Sequence, residues 1–445
     1  MRIQPARKLS GRVRVPGDKS ISHRAAIISA LAATGARSRL TNYSTSADCA
    51  STLHCLGALG VRIERDGDTV EIKGAGLHLP HAPLVPLDCG NSGTTMRLMA
   101  GLLAGQTFDS TLDGDASLRT RPMRRIIEPL QLMSARISSD EGRAPLRIAG
   151  RTTPLAPIRY ALPVASAQVK SCLLLAALLA DGRSEIIEAR GATRDHTERL
   201  LALYGADVRA ETIVYEGRAA AVPSISIQTP VSLRARDCNI AGDISSAAFF
   251  LAAGALLPES ELTLAEVGLN PTRTGVLDTL QKLGADIEIT NERMESGEEI
   301  GELRVRGSGR LNPAEAGANL LRGELIAGLI DELPILCVVG TQIEGGLEIR
   351  DASELRVKET DRIAAMVRNL RAMGAEVEEY ADGLRIFGRT HLRGARLESF
   401  GDHRIAMACA VAALLAEGES ELDGADAVAV SFPEFFALLE SVTER

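Results

Sequence analysis

The 445-residue chain reads as an α/β protein assembled from six βαβαββ units. Three observations predict this. A short polar opening followed by an Ala/Leu-rich helical run occurs six times: GDKSISHRAAIISALAATG from Gly17, GNSGTTMRLMAGLLAG from Gly90, ASAQVKSCLLLAALLADG from Ala165, GDISSAAFFLAAGALL from Gly242, IDELPILCVVGTQIEGG from Ile330 and GDHRIAMACAVAALLAEG from Gly401. Successive openings lie 71 to 88 residues apart, bracketing one sixth of the chain, about 74. Between them runs a second signature, an amphipathic helix that stops at Gly before a β-branched strand.

Within each unit the first helix is the Ala/Leu-rich run that follows the polar opening. The second helix appears as CLGALGVRIE, LLALYGADVRA, LQKLGADIEI and LRAMGAEVEE. Its closing Gly60, Gly205, Gly284 and Gly374 suit the left-handed position after a helix, where a Cβ is penalised. A weaker copy, PLQLMSARISS, puts Ser134 there. Alternating segments such as DTVEIKG and GLRIFG then predict strands. The last copy, FPEFFALLESVTER, reaches the C-terminus with no strand after it, leaving RIQPA or GRVRV at the N-terminus to supply one. The polar stretch 291–318 accounts for the longest spacing and reads as an elaborated hairpin or surface loop. Six units make either one toroid or two three-unit domains. Crossings near 15–18 and 233–240 would place 18–235 in one domain and 1–17 with 236–445 in the other.

Composition narrows the function. Apolar residues are 45% and charged residues 24%, an ordinary globular balance. No apolar run reaches the ~18 residues of a membrane span, and the basic start MRIQPARKLSGRVRV lacks the apolar core of a secretory signal. Seven scattered cysteines without a CxxC pair argue against a disulfide framework or zinc site, so a reducing cytoplasm is expected. A net charge of −8 does not favour nucleic acid. Only six of the 50 basic residues are lysine (Lys8, Lys19, Lys73, Lys170, Lys282, Lys358). Lysine differs from arginine in exchanging its proton more readily, so each of the six merits inspection; Lys170 reads as helix surface.

Helix openings offer unpaired N–H groups and partial positive charge to anions. Several carry a Gly/Ser/Asn/Thr loop with a base nearby: GDKSISHR, GNSGTTMR, SAQVKS and GDHR. Arginine-rich SLRTRPMRR and the segment VKETDR, after an apparent strand LEIRDASELRV, add cations. The pattern points to a small substrate carrying several phosphates or carboxylates. Taken singly, each signal has an ordinary reading. Asn91, Ser92 and Thr94 are common cap and turn formers, and Lys358, Glu359 and Arg362 make an unremarkable surface ion-pair cluster. GDKS is no ATP loop, because Val13 and Asp18 stand where GxxxxGK[ST] needs glycine. Asp331 and Glu332, acidic where other openings place bases, depart from the pattern and could serve proton transfer.

Ten motifs in register, PGDKSISHR, GNSGTTMR, RPM, SAQVKS, RDHTERLL, GDISSAAFFLAA, IDELPIL, ELRVKETDR, GDHRIAMA and SFPEF, resemble the 3-phosphoshikimate 1-carboxyvinyltransferase family of enolpyruvyl transferases essentially end to end. SAQVKS and TRDHTE are similar to its glyphosate-tolerant branch. The resemblance implies a two-domain inside-out α/β barrel, three repeats per domain, hinged at the two crossovers. It implies transfer of the enolpyruvyl group of phosphoenolpyruvate to the 5-hydroxyl of shikimate 3-phosphate, in aromatic amino acid biosynthesis, by a monomer in the cytoplasm without metal or cofactor. Domain closure would expel water around the two anions. Lys19, Ser20 and Arg24 would bind shikimate 3-phosphate, with Ser166, Gln168 and Arg194 holding its ring and phosphate. Gly93, Arg121, Arg362 and Arg404 would hold phosphoenolpyruvate in a pocket shaped by Asn91 and Thr94, with Lys19 also touching it. Lys358 would contact the acceptor hydroxyls, Asp331 would be the base towards the 5-hydroxyl, and Glu359 would protonate the methylene carbon.

Two departures stand out. Val430 occupies the place of a lysine in the common branch, and Leu98 follows Arg97 where that branch has proline. Gly93 is retained, so no methyl excludes the inhibitor glyphosate, and intermediate affinity for it is expected. The nearest rival, UDP-N-acetylglucosamine enolpyruvyl transferase, pairs its opening lysine with asparagine rather than Ser20 and usually carries a loop cysteine absent near Arg121. A ring-shaped DNA clamp would need a basic inner face, and a cyclase acting on RNA ends would need a nucleotide.

Overall fold

Residues 87–149 show the repeat in full: strand Leu87–Asp88, helix Gly93–Leu103, strand Ser110–Asp113, a helical turn Ala116–Thr120, helix Arg124–Leu132, and the hairpin Arg136–Asp140/Arg143–Ala149. The lead strand pairs parallel with Ser110–Asp113, which pairs antiparallel with Arg143–Ala149, leaving Arg136–Asp140 at the edge. The computed structural model describes residues 1–216 and 221–445. It divides the chain into an N-terminal unit, Gly17–Ile240 with Glu295–Glu298, and a C-terminal unit, Met1–Pro16, Ala241–Met294 and Glu299–Arg445.

The other sheets repeat the plan, with borrowed strands where the chain begins and ends a unit. In the N-terminal unit Cys238–Asn239 returns to lead the first sheet, pairing parallel with Arg37–Thr41. In the C-terminal unit Lys8–Arg14 leads the fourth sheet beside Glu261–Gly268. The RIQPA segment supplies the strand expected for the last copy: Arg2–Ile3 pairs antiparallel with Ser420–Asp423. The last copy also ends on a strand of its own, contrary to the sequence reading. Thr443–Glu444 pairs with Lys8–Leu9, and Lys8 Nζ lies 3.3 Å from the Glu444 carboxylate.

Each opening helix lies inside its unit. Ile244–Leu256 and His403–Leu414 are buried at every residue, as is Leu333–Gly340, and the three pack together. Phe249 and Phe250 stack edge-on with Phe435, whose ring centroid lies 5.6 Å from Phe432. The SFPEF motif is therefore a core element. In the N-terminal unit helices Gly93–Leu103 and Ala167–Ala177 cross so closely that a Cβ on Gly101 would sit 2.1 Å from the Cys172 carbonyl oxygen.

The closing helices stop as expected, with Gly60, Gly205, Gly284 and Gly374 at φ 88–99°. Ser134 adopts the same left-handed conformation at φ 66°, and its N–H reaches Gln131 O while Ala135 N reaches Leu130 O, the double closure of a Schellman cap. The stretch read as strand LEIRDASELRV is strand only over Leu347–Ile349; Asp351 turns left-handed at φ 60°, and Ser353–Val357 coils into a 3₁₀ helix. Region 291–318 spans the turn of hairpin Asp286–Glu295/Glu298–Arg306 and the irregular segment after it.

Candidate active site

The helix ends are not bare. Asp18 accepts from Ile21 N, Ser92 from Thr95 N, Ser166 from Val169 N, Asp243 from Ser245 N, and Asp402 from Arg404 N and Ile405 N. Each cap satisfies one or two of the end N–H groups, so the ends expected to meet anions at several openings are partly closed by the chain itself. Just past two of these caps stand cations, Lys19 after Asp18 and Arg404 after Asp402.

In the N-terminal unit Lys19 begins helix Lys19–Ala30, with Nζ 3.1 Å from Asp48 Oδ2. Beside it Ser20 Oγ accepts from Arg194 Nη1 at 3.4 Å. Arg24, expected to touch substrate, is buried with its guanidinium engaged: Nε donates to Thr197 Oγ1 at 2.7 Å, Nη1 to Ser20 O at 2.9 Å and Nη2 to Ser171 Oγ at 2.8 Å. It braces the Ser20 backbone. Gln168 Nε2 donates to Thr94 Oγ1 at 2.9 Å, joining two opening helices, and Ser166 caps the second of them. Arg121 Nη2 donates to Asn91 Oδ1 at 2.5 Å, and Asn91 Nδ2 to Asp115 Oδ2 at 2.7 Å. Gly93 leaves room for these groups: a Cβ there would meet Arg97 Nη1 at 2.7 Å and Arg121 Nη1 at 3.3 Å. Leu98 is fully buried in the same helix.

In the C-terminal unit Arg362 is the hub, 2% exposed. Its Nε donates to Asp402 Oδ2 at 2.8 Å, its Nη2 to Glu359 Oε2 at 2.9 Å, and Nη1 lies 3.6 Å from Asp331 Oδ1. Burial opposes its charge, but Asp402, Glu359 and Asp331 together raise its pKa further above the usual arginine range. Asp402 also accepts from the Arg404 N–H at 2.8 Å, so one carboxylate connects two arginines. The Arg404 side chain is 4% exposed, yet its Nε and Nη1 have no hydrogen-bond partner among the described residues. Half-buried Lys358 has its pKa lowered, chiefly by burial and then by Arg362, against the opposing pull of Asp331, Glu354 and Glu359. Val430 ends the 3₁₀ helix Ala425–Val430.

Sequence reasoning missed Asp48, Asp402 and the neighbourhood of Lys170. Lys170 is fully buried rather than helix surface, with Nζ 3.0 Å from Glu188 Oε1 and 2.7 Å from Glu198 Oε1. Asp402 had a visible signal, since Asp18 and Asp243 hold the same slot in GDKS and GDIS.

Residues 3–439 match the family described as EPSP synthase (3-phosphoshikimate 1-carboxyvinyltransferase). The chain is 50% identical over 444 residues to the 3-phosphoshikimate 1-carboxyvinyltransferase of Salinibacter ruber, covering 99% of each. To the Koribacter versatilis protein of that name it is 48% identical over 446 residues, covering 100% of this chain and 99% of the relative. A solved EPSP synthase from Acinetobacter baumannii is similar at TM-score 0.84 and 38% identity, over 99% of this chain and 98% of that one.

Proposed function

The chain belongs to the EPSP synthase family, and from that premise we propose how its residues transfer the enolpyruvyl group of phosphoenolpyruvate to the 5-hydroxyl of shikimate 3-phosphate, giving 5-enolpyruvylshikimate 3-phosphate and phosphate. The observation that carries the site assignment is the buried guanidinium of Arg404, whose Nε and Nη1 are unpartnered among the described residues. The guanidinium faces the Phe249 ring, 6.0 Å from its centroid, but buried donors without hydrogen bonds are costly, and an anionic ligand is the natural complement.

On the N-terminal unit Lys19, Ser20 and Arg194 bind the shikimate phosphate, Ser166 and Gln168 hold the ring, and Arg24 sets Ser20 from behind. Arg121, with Gly93, Asn91 and Thr94, binds phosphoenolpyruvate. On the C-terminal unit Arg362 and Arg404 bind its anionic groups and Lys358 contacts the acceptor hydroxyls. Protonation of the methylene carbon by Glu359 makes the adjacent carbon electrophilic. Asp331 takes the proton of the attacking 5-hydroxyl; the tetrahedral adduct then loses phosphate together with one proton of its new methyl group, which returns to Glu359 and restores the carbon–carbon double bond. Fixed cations stabilise the leaving charge.

Phosphate release measured with shikimate 3-phosphate and phosphoenolpyruvate tests the reading; release with UDP-N-acetylglucosamine in place of the shikimate ester would overturn it. We further assign the enzyme to the cytoplasm, checked by cell fractionation, and read it as a monomer, checked by light scattering. Gly93 supports intermediate affinity for glyphosate, read as competition with phosphoenolpyruvate.

A further inference from the structure

The RDHTE motif contributes one residue, Arg194, to substrate binding as read above, yet its next buried residues each grip another element. His196 Nδ1 lies 2.7 Å from Glu298 Oε1, Thr197 Oγ1 accepts from Arg24, and Glu198 pairs with Lys170. Lys170 stands two residues after Gln168 in helix Ala167–Ala177, and its side chain has no exposure. Its ammonium reaches both flanks of the connection before helix His196–Leu203: Glu188, just after strand Arg183–Ile187, and Glu198, in the first turn of the helix, with Thr193 O at 3.4 Å. Glu188 Oε1 in turn accepts from Thr193 N at 2.8 Å and from Thr193 Oγ1 at 2.5 Å. The residue after this doubly held threonine is Arg194.

We propose that Lys170 is a positioning residue for shikimate 3-phosphate: with Glu188 it clamps Thr193 and so aims the Arg194 guanidinium at the position beside Ser20 where the ester's phosphate binds. The proposal rests on the assignment of Arg194 made above. Stability alone is a poor reason to keep such a cluster, because a buried ion pair is often no better than well-packed apolar residues. The clamp does something apolar packing does not. It fixes the backbone of a segment without helix or strand, containing Gly191 at φ 116°, immediately before a long, flexible cation. An arginine held on a fixed backbone loses less freedom on binding an anion.

The test is a double-mutant cycle of Lys170→Met and Arg194→Ala in the full-length enzyme, reading both KM values and kcat. Lys170→Met is expected to raise KM for shikimate 3-phosphate about tenfold or more, the scale of one charge-assisted contact, and to leave KM for phosphoenolpyruvate within about twofold. In the Arg194→Ala background it should add nothing to KM for the ester. Full additivity, or an equal change in both KM values, would overturn the clamp while leaving Arg194 in place. An Arg194→Ala enzyme with unchanged KM for the ester would instead overturn the assignment of Arg194, and the clamp with it. Should Lys170→Met not fold, half-buried Thr193→Val removes only the hydroxyl bond to Glu188. It is expected to raise the same KM by a smaller factor and to lose that effect when Arg194 is alanine; an unchanged KM in this variant overturns the proposal.

Discussion

Glu359 accepts a hydrogen bond from Arg362, Oε2 to Nη2 at 2.9 Å, and the same guanidinium lies 3.6 Å from Asp331. Both carboxylates assigned to proton transfer are thus held by one buried cation. Glu359→Gln keeps an oxygen for that hydrogen bond and removes the proton donor. It is expected to cut kcat by about 10²–10⁴-fold, the range for a general acid, while shikimate 3-phosphate still binds by calorimetry. Near-normal turnover would remove Glu359 from the mechanism.

Arg362 and Arg404 differ in what they do for the unliganded protein. Arg362 neutralises carboxylates, so Arg362→Met strands Asp402 and its neighbours and is expected to cost about 3–5 kcal/mol of stability. The two nitrogens of Arg404 that lack a hydrogen-bond partner among the described residues imply the opposite. Arg404→Met is expected to leave the thermal midpoint unchanged or raised, yet to increase KM for phosphoenolpyruvate by about tenfold or more. A fall in midpoint comparable to that of Arg362→Met would show that Arg404 is structural.

The repeat was legible because it is periodic: six helical openings at even spacing, and closing glycines that adopt the left-handed conformation their position demands. Ser134 could be placed by the same register despite its Cβ. Long-range pairing was not legible in that way. Lys170 sits among apolar residues in SAQVKSCLLL, and its partners Glu188 and Glu198 lie outside the helix, so no helical spacing links them. Arg24 was legible as important but not as internal, because Thr197 and Ser171, which occupy its guanidinium, come from other elements. Local pattern locates caps and turns; whether a charge meets a ligand or a buried partner depends on contacts that only the folded chain assembles.

Gly93 marks a place where absence of a side chain shapes the site. The Cβ of an alanine would be 2.7 Å from Arg97 Nη1 and 3.3 Å from Arg121 Nη1. Arg97 is held by the carbonyls of Gly93 and Pro122, and Arg121 by Asn91. Overpacking of about 1–3 kcal/mol, taken up by displacing Arg121, is expected to raise KM for phosphoenolpyruvate about tenfold with KM for shikimate 3-phosphate little changed. An unaltered KM for phosphoenolpyruvate would show that Arg121 does not bind it.

His23 gives the fold a dependence on pH of definite sign. It is fully buried, with Nδ1 2.6 Å from Thr52 Oγ1. Burial lowers its pKa well below the usual 6.5, and the charges of Lys19 and Arg24 lower it further against the weaker pull of Asp18. The folded protein therefore keeps the imidazole neutral where the unfolded chain binds a proton. Stability is complete above the unfolded value and falls as pH drops below about 6.5, by up to about 1.4 kcal/mol per pH unit for one proton. His23→Gln retains a polar group beside Thr52 but cannot titrate. Its denaturant midpoint is expected to fall less than that of the wild type between pH 7.5 and 5.5, and parallel curves for the two proteins would exclude His23 as the source.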